Sequence, residues 1–320
     1  MTRMALVGDI GGTNARFALV TPGEFELHHI ETLPAEDYPT LSDALRAYIE
    51  KVGCDTPKEA CLAFACPTHE DEIKMTNNPW VLSKKAFKEE FGFEVFKAIN
   101  DFTAQALGLP HIGSDDLYQV GEGGAAEGCA RLVIGPGTGL GVAGLAPSQR
   151  YWIPLTGEGG HASFAPTDDI EIKLLAWFRA RYDRVSVERM LCGQGLLDLY
   201  TALAEFDGLT PTCTTPPEVT DAAKQGDPLA LNTVLRFCRI LGHTTGDVAL
   251  TLGARGGVYL VGGILPRLLD ILDDSDFRIA FADKGRMGGY TAGIATWVVT
   301  AKWTGLLGAA EALYNEEVAT

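Results

Sequence analysis

The chain has 320 residues, 46% hydrophobic and 21% charged, which excludes wholesale disorder and leaves room for about two domains, each with its own core. Acidic residues outnumber basic ones by 42 to 26, for a net charge of −16. Such a field disfavours nucleic acid as a partner, and any phosphorylated ligand must be held by local donors.

An apolar run begins at Met4 with no signal-peptide-like segment before it. Met4 to Val20 (MALVGDIGGTNARFALV) places two apolar runs around Gly11-Gly12-Thr13-Asn14, a hairpin signal. Apolar residues at 41, 45, 48, 49 and 52 predict an amphipathic helix over 41–52. Strands are expected over 60–65, 72–76 and 95–99. A helix is expected over 82–91, with Ser83 near its start and Gly92 as its stop, and another begins at Phe102. From His111 to Cys129 the chain is rich in glycine and acids with little periodicity, which marks a domain boundary near residue 110.

The second half restarts like the first, with Leu132 to Ala143 forming strand, Gly-Thr turn and strand. The 18 uncharged residues from Leu132 to Gln149 include five glycines and two prolines, so they read as a strand pair and not as a membrane span. Helices are expected over 170–182, 187–191, 195–204, 228–252 and 306–314, and strands over 257–261 and 295–300. The alternation of strands and helices gives the α/β class. Seven cysteines at wide spacing, without a C-x-x-C pair, read as reduced thiols of a cytoplasmic protein. The six histidines include no H-x-x-x-H pair, so no zinc site is legible.

Glycine is in excess, 37 residues against a usual share of about 7%, and it is clustered. In Gly8-Asp9-Ile10-Gly11-Gly12-Thr13-Asn14 the turn offers a concave nest of backbone N–H groups, side-chain donors at Thr13 and Asn14, and a carboxylate at Asp9 suited to the water shell of nucleotide magnesium. A plain capped hairpin is the other reading of this turn alone. The second Gly-Thr turn, Gly135 to Gly139, favours a pair of nests for a polyphosphate. Neither is a P-loop, for no G-x-x-x-x-G-K-[ST] occurs, and neither follows the dinucleotide fingerprint. Asn77, Asn100, Asp101, Glu158, His161 and Glu188 form a set of short polar groups able to chelate vicinal hydroxyls. Individually, Asp101 equally reads as a helix N-cap, Glu188 as a first-turn helix charge and His161 as a loop histidine. Gly262-Gly263, at the end of an apolar strand, would let a flat adenine ring lie against the backbone, or would make a tight turn.

Five motifs in order, Gly8 to Asn14, Ile99-Asn100-Asp101-Phe102, Gly135 to Gly141, Gly157-Glu158-Gly159-Gly160-His161 and Val261 to Ile264, resemble bacterial ATP-dependent glucokinases of the enterobacterial type. The resemblance runs nearly end to end and includes Met75-Thr76-Asn77, Glu188-Arg189, Phe277-Arg278 and Gly305 to Ala310. It implies the actin-like, ribonuclease H-like sugar kinase fold: a small α/β domain of residues 1–109 plus 298–320, a large one of 110–297, and a cleft between them. It implies Asp101 as catalytic base, and the sugar at Asn77, Asn100, Asp101, Glu158, His161 and Glu188. ATP phosphates are assigned to Gly8, Asp9, Ile10, Gly11, Gly12, Thr13 and Asn14 and to Gly137 and Thr138, with adenosine near Gly262 and Gly263. Mg2+ is held indirectly by Asp9 through water, D-glucose is the acceptor, and a cytoplasmic homodimer is the expected state. Pro136, Thr156, Cys192 and Gln194 depart from the family's usual residues and bear on loop stiffness. The zinc-binding cysteine cluster of the related repressor and kinase group is missing after His161, which implies the zinc-free branch. Three alternatives stand beside this: a hexose kinase that also takes mannose or glucosamine, a non-catalytic sugar sensor, and an actin-like ATPase. Regulators of the wider group carry a DNA-binding module in front, for which a first strand expected to start by residue 4 leaves no room, and the acidic balance also speaks against one; an ATPase would leave the polar set without a purpose.

Overall fold

Ala5–Ile10 (β1) and Asn14–Val20 (β2) are the antiparallel arms of the expected hairpin, paired from Ala5↔Val20 to Ile10↔Ala15. The computed structural model describes residues 4–318; residues 1–3 and 319–320, which fall within the expected domain limits, lie outside the described residues. The chain continues through Leu27–Pro34 (β3), Leu41–Val52 (α1), Glu59–Phe64 (β4), Glu72–Lys74 (β5), Val81–Ser83 (β6), Lys84–Phe91 (α2), Val95–Asn100 (β7) and Asp101–Gly108 (α3). Five strands form one sheet in the order β3-β2-β1-β4-β7, with β4 parallel to both β1 and β7. Central β4 is apolar on both faces, as a strand covered from both sides must be.

After α3 come Leu117–Gln119 (β8), Arg131–Pro136 (β9), Leu140–Pro147 (β10), Trp152–Gly157 (β11), Asp169–Arg179 (α4), Val187–Met190 (α5), Gly193–Phe206 (α6), Pro216–Lys224 (α7) and Pro228–Leu252 (α8). Then follow Val258–Leu260 (β12), Leu269–Asp274 (α9), Phe277–Ala282 (α10), Gly288–Ala292 (α11), Thr296–Val299 (β13) and Thr304–Tyr314 (α12). The second sheet has the order β11-β10-β9-β12-β13-β8, with β12 parallel to β9 and β13. The long helix α8 runs 25 residues with Val234, Phe237, Cys238 and Leu241 in the core. Arg278 on α10 is a half-buried cation without a carboxylate among its hydrogen-bond partners. Its guanidinium donates to the carbonyls of Glu122, Ala292 and Ile294 and to Thr296 Oγ1.

One unit consists of the chain up to Ser114, Leu145–Thr156 and the chain from Ala301; the other consists of Asp115–Gly144 and Gly157–Thr300. The boundaries expected at 109/110 and 297/298 are thus displaced by a few residues, and the excursion over 145–156 was not foreseen. The stretch from His111 to Cys129, expected to be without regular structure, contains β8, which completes the edge of the second sheet. All seven cysteines are free thiols. No helix among the described residues is long and apolar enough to cross a membrane.

The C-terminal helix α12 belongs to the first unit because it packs on α3 at a distance only glycine permits. A Cβ on Gly308 would lie 1.7 Å from the carbonyl oxygen of Ala104, and one on Gly108 would lie 2.1 Å from that of Thr304. Lys97, buried on β7, fixes the other end of α12. Its ammonium donates to the carbonyls of Ala312, Asn315 and Val318 at 2.9, 3.0 and 2.9 Å, so all three protons meet carbonyls at or just beyond a helix C-terminus. Burial lowers the Lys97 pKa below the usual lysine range. Gly308→Ala should therefore part the two helices and cost about 1–3 kcal/mol or more, a loss of several degrees in Tm. Gly289→Ala on α11, where a Cβ would meet nothing within 4 Å, should leave Tm unchanged or slightly raised. Equal Tm values for both variants in thermal melts would contradict this account of helix docking.

Candidate active site

In the first sheet β1, β4 and β7 end together, for Ile10 pairs with Phe64 and Phe64 with Asn100. The turn Gly11-Gly12-Thr13 and the pair Asn100-Asp101 consequently leave the same edge. The Gly11 N–H donates to Asn14 O at 2.9 Å and closes the turn, leaving the Gly12 and Thr13 amides outside the strand ladder. Gly12 lies against Asn77, since a Cβ there would come 2.5 Å from Asn77 Cβ. The glycine turn and Asn77 are therefore one packing unit, which residue spacing did not reveal. Asn78, absent from the expected set, supports the turn by donating from Nδ2 to Gly11 O at 3.4 Å.

Asp9 faces Arg16 across the hairpin at 3.2 Å. The first turn of α12 also approaches it, because a Cβ on Gly305 would lie 3.5 Å from Asp9 Oδ2 and 3.2 Å from Gln105 Nε2. Burial pushes the Asp9 carboxyl above the ordinary carboxylate range, and Arg16 pulls it back only in part. Among the described residues no group of three or more His, Cys, Asp or Glu side chains is arranged to hold a metal ion.

Asn100 and Asp101 together open α3. The cap of α3 is Asn100, whose Oδ1 accepts from the N–H of Phe102 at 2.9 Å and of Thr103 at 3.3 Å. Asp101 is the first residue of the helix, and its Oδ1 accepts from Phe102 N–H at 2.9 Å. The N-cap reading of Asp101 thus passes to its neighbour. Cys66, buried close by, has its thiol pushed up to about 11, by burial first and then by the Asp101 charge.

In the second unit β12 ends at Leu260, which pairs with Ile134, just before β9 ends at Pro136. Gly137-Thr138 and Gly262-Gly263 leave that edge side by side. Gly262 has φ +94°, and a Cβ on it would lie 2.6 Å from Pro136 O, so it is needed for the turn itself; a Cβ on Gly263 would meet nothing within 4 Å. The segment Gly157 to His161 folds over β10, where a Cβ on Gly160 would lie 2.1 Å from Leu140 O. His161 and Glu188 approach because 162–164 is sewn to 185–187: Val187 N–H donates to Ala162 O at 2.9 Å and Phe164 N–H to Val185 O at 3.1 Å. Arg184, which no sequence signal marked, donates to His161 O at 2.7 Å. His161 Nδ1 lies 3.8 Å from Glu188 Oε1, and Glu188 Oε2 accepts from Leu140 N–H at 2.9 Å. Glu158 is exposed on the same turn. Cys192 keeps the capping role expected of a hydroxyl, its Sγ accepting from Gly195 N–H at 3.3 Å at the start of α6.

A glucokinase family model matches residues 6–316. The chain is 67% identical to the glucokinase of Chromohalobacter salexigens over 99% of this chain and all of that relative. It is 56% identical to the glucokinase of Hahella chejuensis over 98% of each chain. The crystal structure of a glucokinase from an Antarctic psychrotroph matches with a TM-score of 0.89 at 37% identity, covering 99% of this chain and all of that one. The fold is the two-domain, actin-like α/β fold of the sugar kinases, and the chain belongs to the glucokinase family.

Proposed function

We propose that this protein transfers the γ-phosphoryl group of ATP to the 6-hydroxyl of D-glucose, giving glucose 6-phosphate and ADP. Its membership of the glucokinase family supports the reaction. The observation that carries the chemistry is the placement at the end of β7, where Asn100 is the cap of the helix and the adjacent carboxylate of Asp101, one oxygen of which accepts from Phe102 N–H, is assigned the base. In the reaction the O6–P bond forms, the bond from the γ-phosphorus to its bridging oxygen breaks, and Asp101 takes the O6 proton. Positioning and charge neutralisation do most of the work in such a loose transition state. Backbone amides of Gly11 to Thr13 and of Gly137-Thr138 cradle the phosphates. Adenosine lies by Gly262-Gly263, where the open face of Gly263 leaves room for it. Asn77, Asn100, Glu158, His161 and Glu188 bind sugar hydroxyls, with Glu158 and His161 at the anomeric end.

Magnesium suits Asp9. A single half-enclosed carboxylate, which burial makes costly to ionise, would be stabilised by a nearby cation. When bound, the ion neutralises charge on the phosphates. Asp9 would hold the ion through water, and Arg16 holds Asp9 in place. The family resemblance also supports a cytoplasmic homodimer; light scattering of the purified protein tests the assembly.

An ADP-release assay with a panel of hexoses tests the reaction. Sites that pair polar groups with hydroxyls reject sugars that lack or misplace one of them by up to about 10⁴-fold, so kcat/KM should favour glucose strongly over galactose and fructose. Equal values across the panel, or ADP release independent of sugar, would refute it. Asp101→Asn should keep a near-normal Tm and bind glucose, while kcat falls at least about 10²-fold. Normal turnover would remove Asp101 from the base role. Asp9→Asn should raise the magnesium concentration for half-maximal activity about 10–100-fold. Its Tm should hold, because the charge it deletes is disfavoured by burial and the Arg16 pair is half-exposed. An unchanged magnesium requirement would contradict the assignment.

A further inference from the structure

The segment from Glu188 to Gly193 touches the second glycine turn at two points. Glu188 Oε2 accepts from the N–H of Leu140, the residue just after the turn, at 2.9 Å. Gly193, the first residue of α6, donates its N–H to Gly137 O at 2.9 Å. Gly137, Thr138 and Gly139 are thus gripped on both flanks by one short stretch of chain. A Cβ at position 139 would lie 2.5 Å from Glu188 Oε2, so a side chain there would displace the carboxylate from this grip. The other carboxylate oxygen, Oε1, faces His161 at 3.8 Å, too long for a direct hydrogen bond. A hydroxyl held there would engage the carboxylate whose second oxygen already anchors the turn. Ser186 caps the short helix α5, accepting from Arg189 N–H at 3.3 Å, so the backbone that carries Glu188 is itself fixed.

We propose that Glu188 is a positioning residue for the ATP-phosphate turn as well as a sugar contact, so that glucose and ATP reinforce each other's binding through one carboxylate. The proposal rests on the assignment of Gly137-Thr138 to the phosphates and of Glu188 to the sugar. Coupling of this kind is reciprocal: whatever factor glucose adds to nucleotide affinity, nucleotide adds to glucose affinity.

The test is isothermal titration of the full chain with magnesium and the non-hydrolysable analogue AMPPNP, with and without saturating glucose, together with the reverse titration. In the unaltered protein each ligand should tighten the other about 5-fold or more. Glu188→Ala should raise the AMPPNP Kd about 5-fold or more in the absence of glucose, and bring the coupling to within about twofold of unity. Glu188→Gln should leave the glucose-free AMPPNP Kd within about twofold, because its amide oxygen still accepts from Leu140 N–H, while glucose binding weakens. Gly139→Ala keeps the carboxylate but displaces it, and should behave like Glu188→Ala; should Glu188→Ala fail to fold, these two variants decide. A Glu188→Ala or Gly139→Ala protein whose glucose-free AMPPNP Kd is unchanged would overturn the positioning role and leave the glucokinase reading intact. An unaltered protein that binds neither glucose nor AMPPNP would overturn that reading and this proposal together.

Discussion

Parallel strand pairing is the constraint on which the site depends. Parallel neighbours end on the same edge of a sheet, and there the chain turns with backbone groups outside the ladder, so ligands gather at carboxyl ends. In the first sheet, pairing β1 with β4 and β4 with β7 brings Gly11 and Asp101 to one edge although they are far apart in sequence. In the second, pairing β9 with β12 does the same for Gly137 and Gly262. Four of the candidate segments thus sit at strand ends for reasons of topology. Residue chemistry then decides what each end does.

Close packing and chemistry share residues throughout. Gly12 opens a nest of amides and also admits Asn77. Gly139 keeps its turn small and leaves room for the Glu188 carboxylate. Asn100 caps α3, and Asp101 as its first residue shares the Phe102 N–H. Lys97, far from this chemistry, anchors the end of α12, and the first turn of the same helix lies beside Asp9. A loss of packing at α3 and α12 is therefore a loss of positioning at Asp9.

Much of this was legible in the chain itself. Helices α1 and α8 lie at their expected limits because apolar periodicity, Gly53 and Gly253 mark them clearly. The hairpin at Gly11-Gly12 is marked by its turn chemistry. Strand β3 was missed because Leu27–Pro34 is half-exposed without clean alternation. Helix α7 was missed although its start carries a Thr-Pro-Pro-Glu capping box, in which Thr215 and Glu218 satisfy each other's backbone. The excursion at 145–156 had no local signal, since its place follows from tertiary contacts such as Asn315 Nδ2 donating to Trp152 O at 2.9 Å. Motifs nominated the candidate residues, but spacing could not tell which pairs touch. Gly12 with Asn77, Glu188 with Leu140 and Arg184 with His161 emerge only from the fold.

The most direct test of the account is a crystal structure with glucose, magnesium and AMPPNP bound. The 6-hydroxyl should lie within hydrogen-bond reach of the Asp101 carboxylate, about 2.6–3.2 Å, with phosphate oxygens on the amides of Gly11 to Thr13 and of Gly137-Thr138. A sugar whose 6-hydroxyl points away from Asp101, or phosphates seated elsewhere, would contradict it.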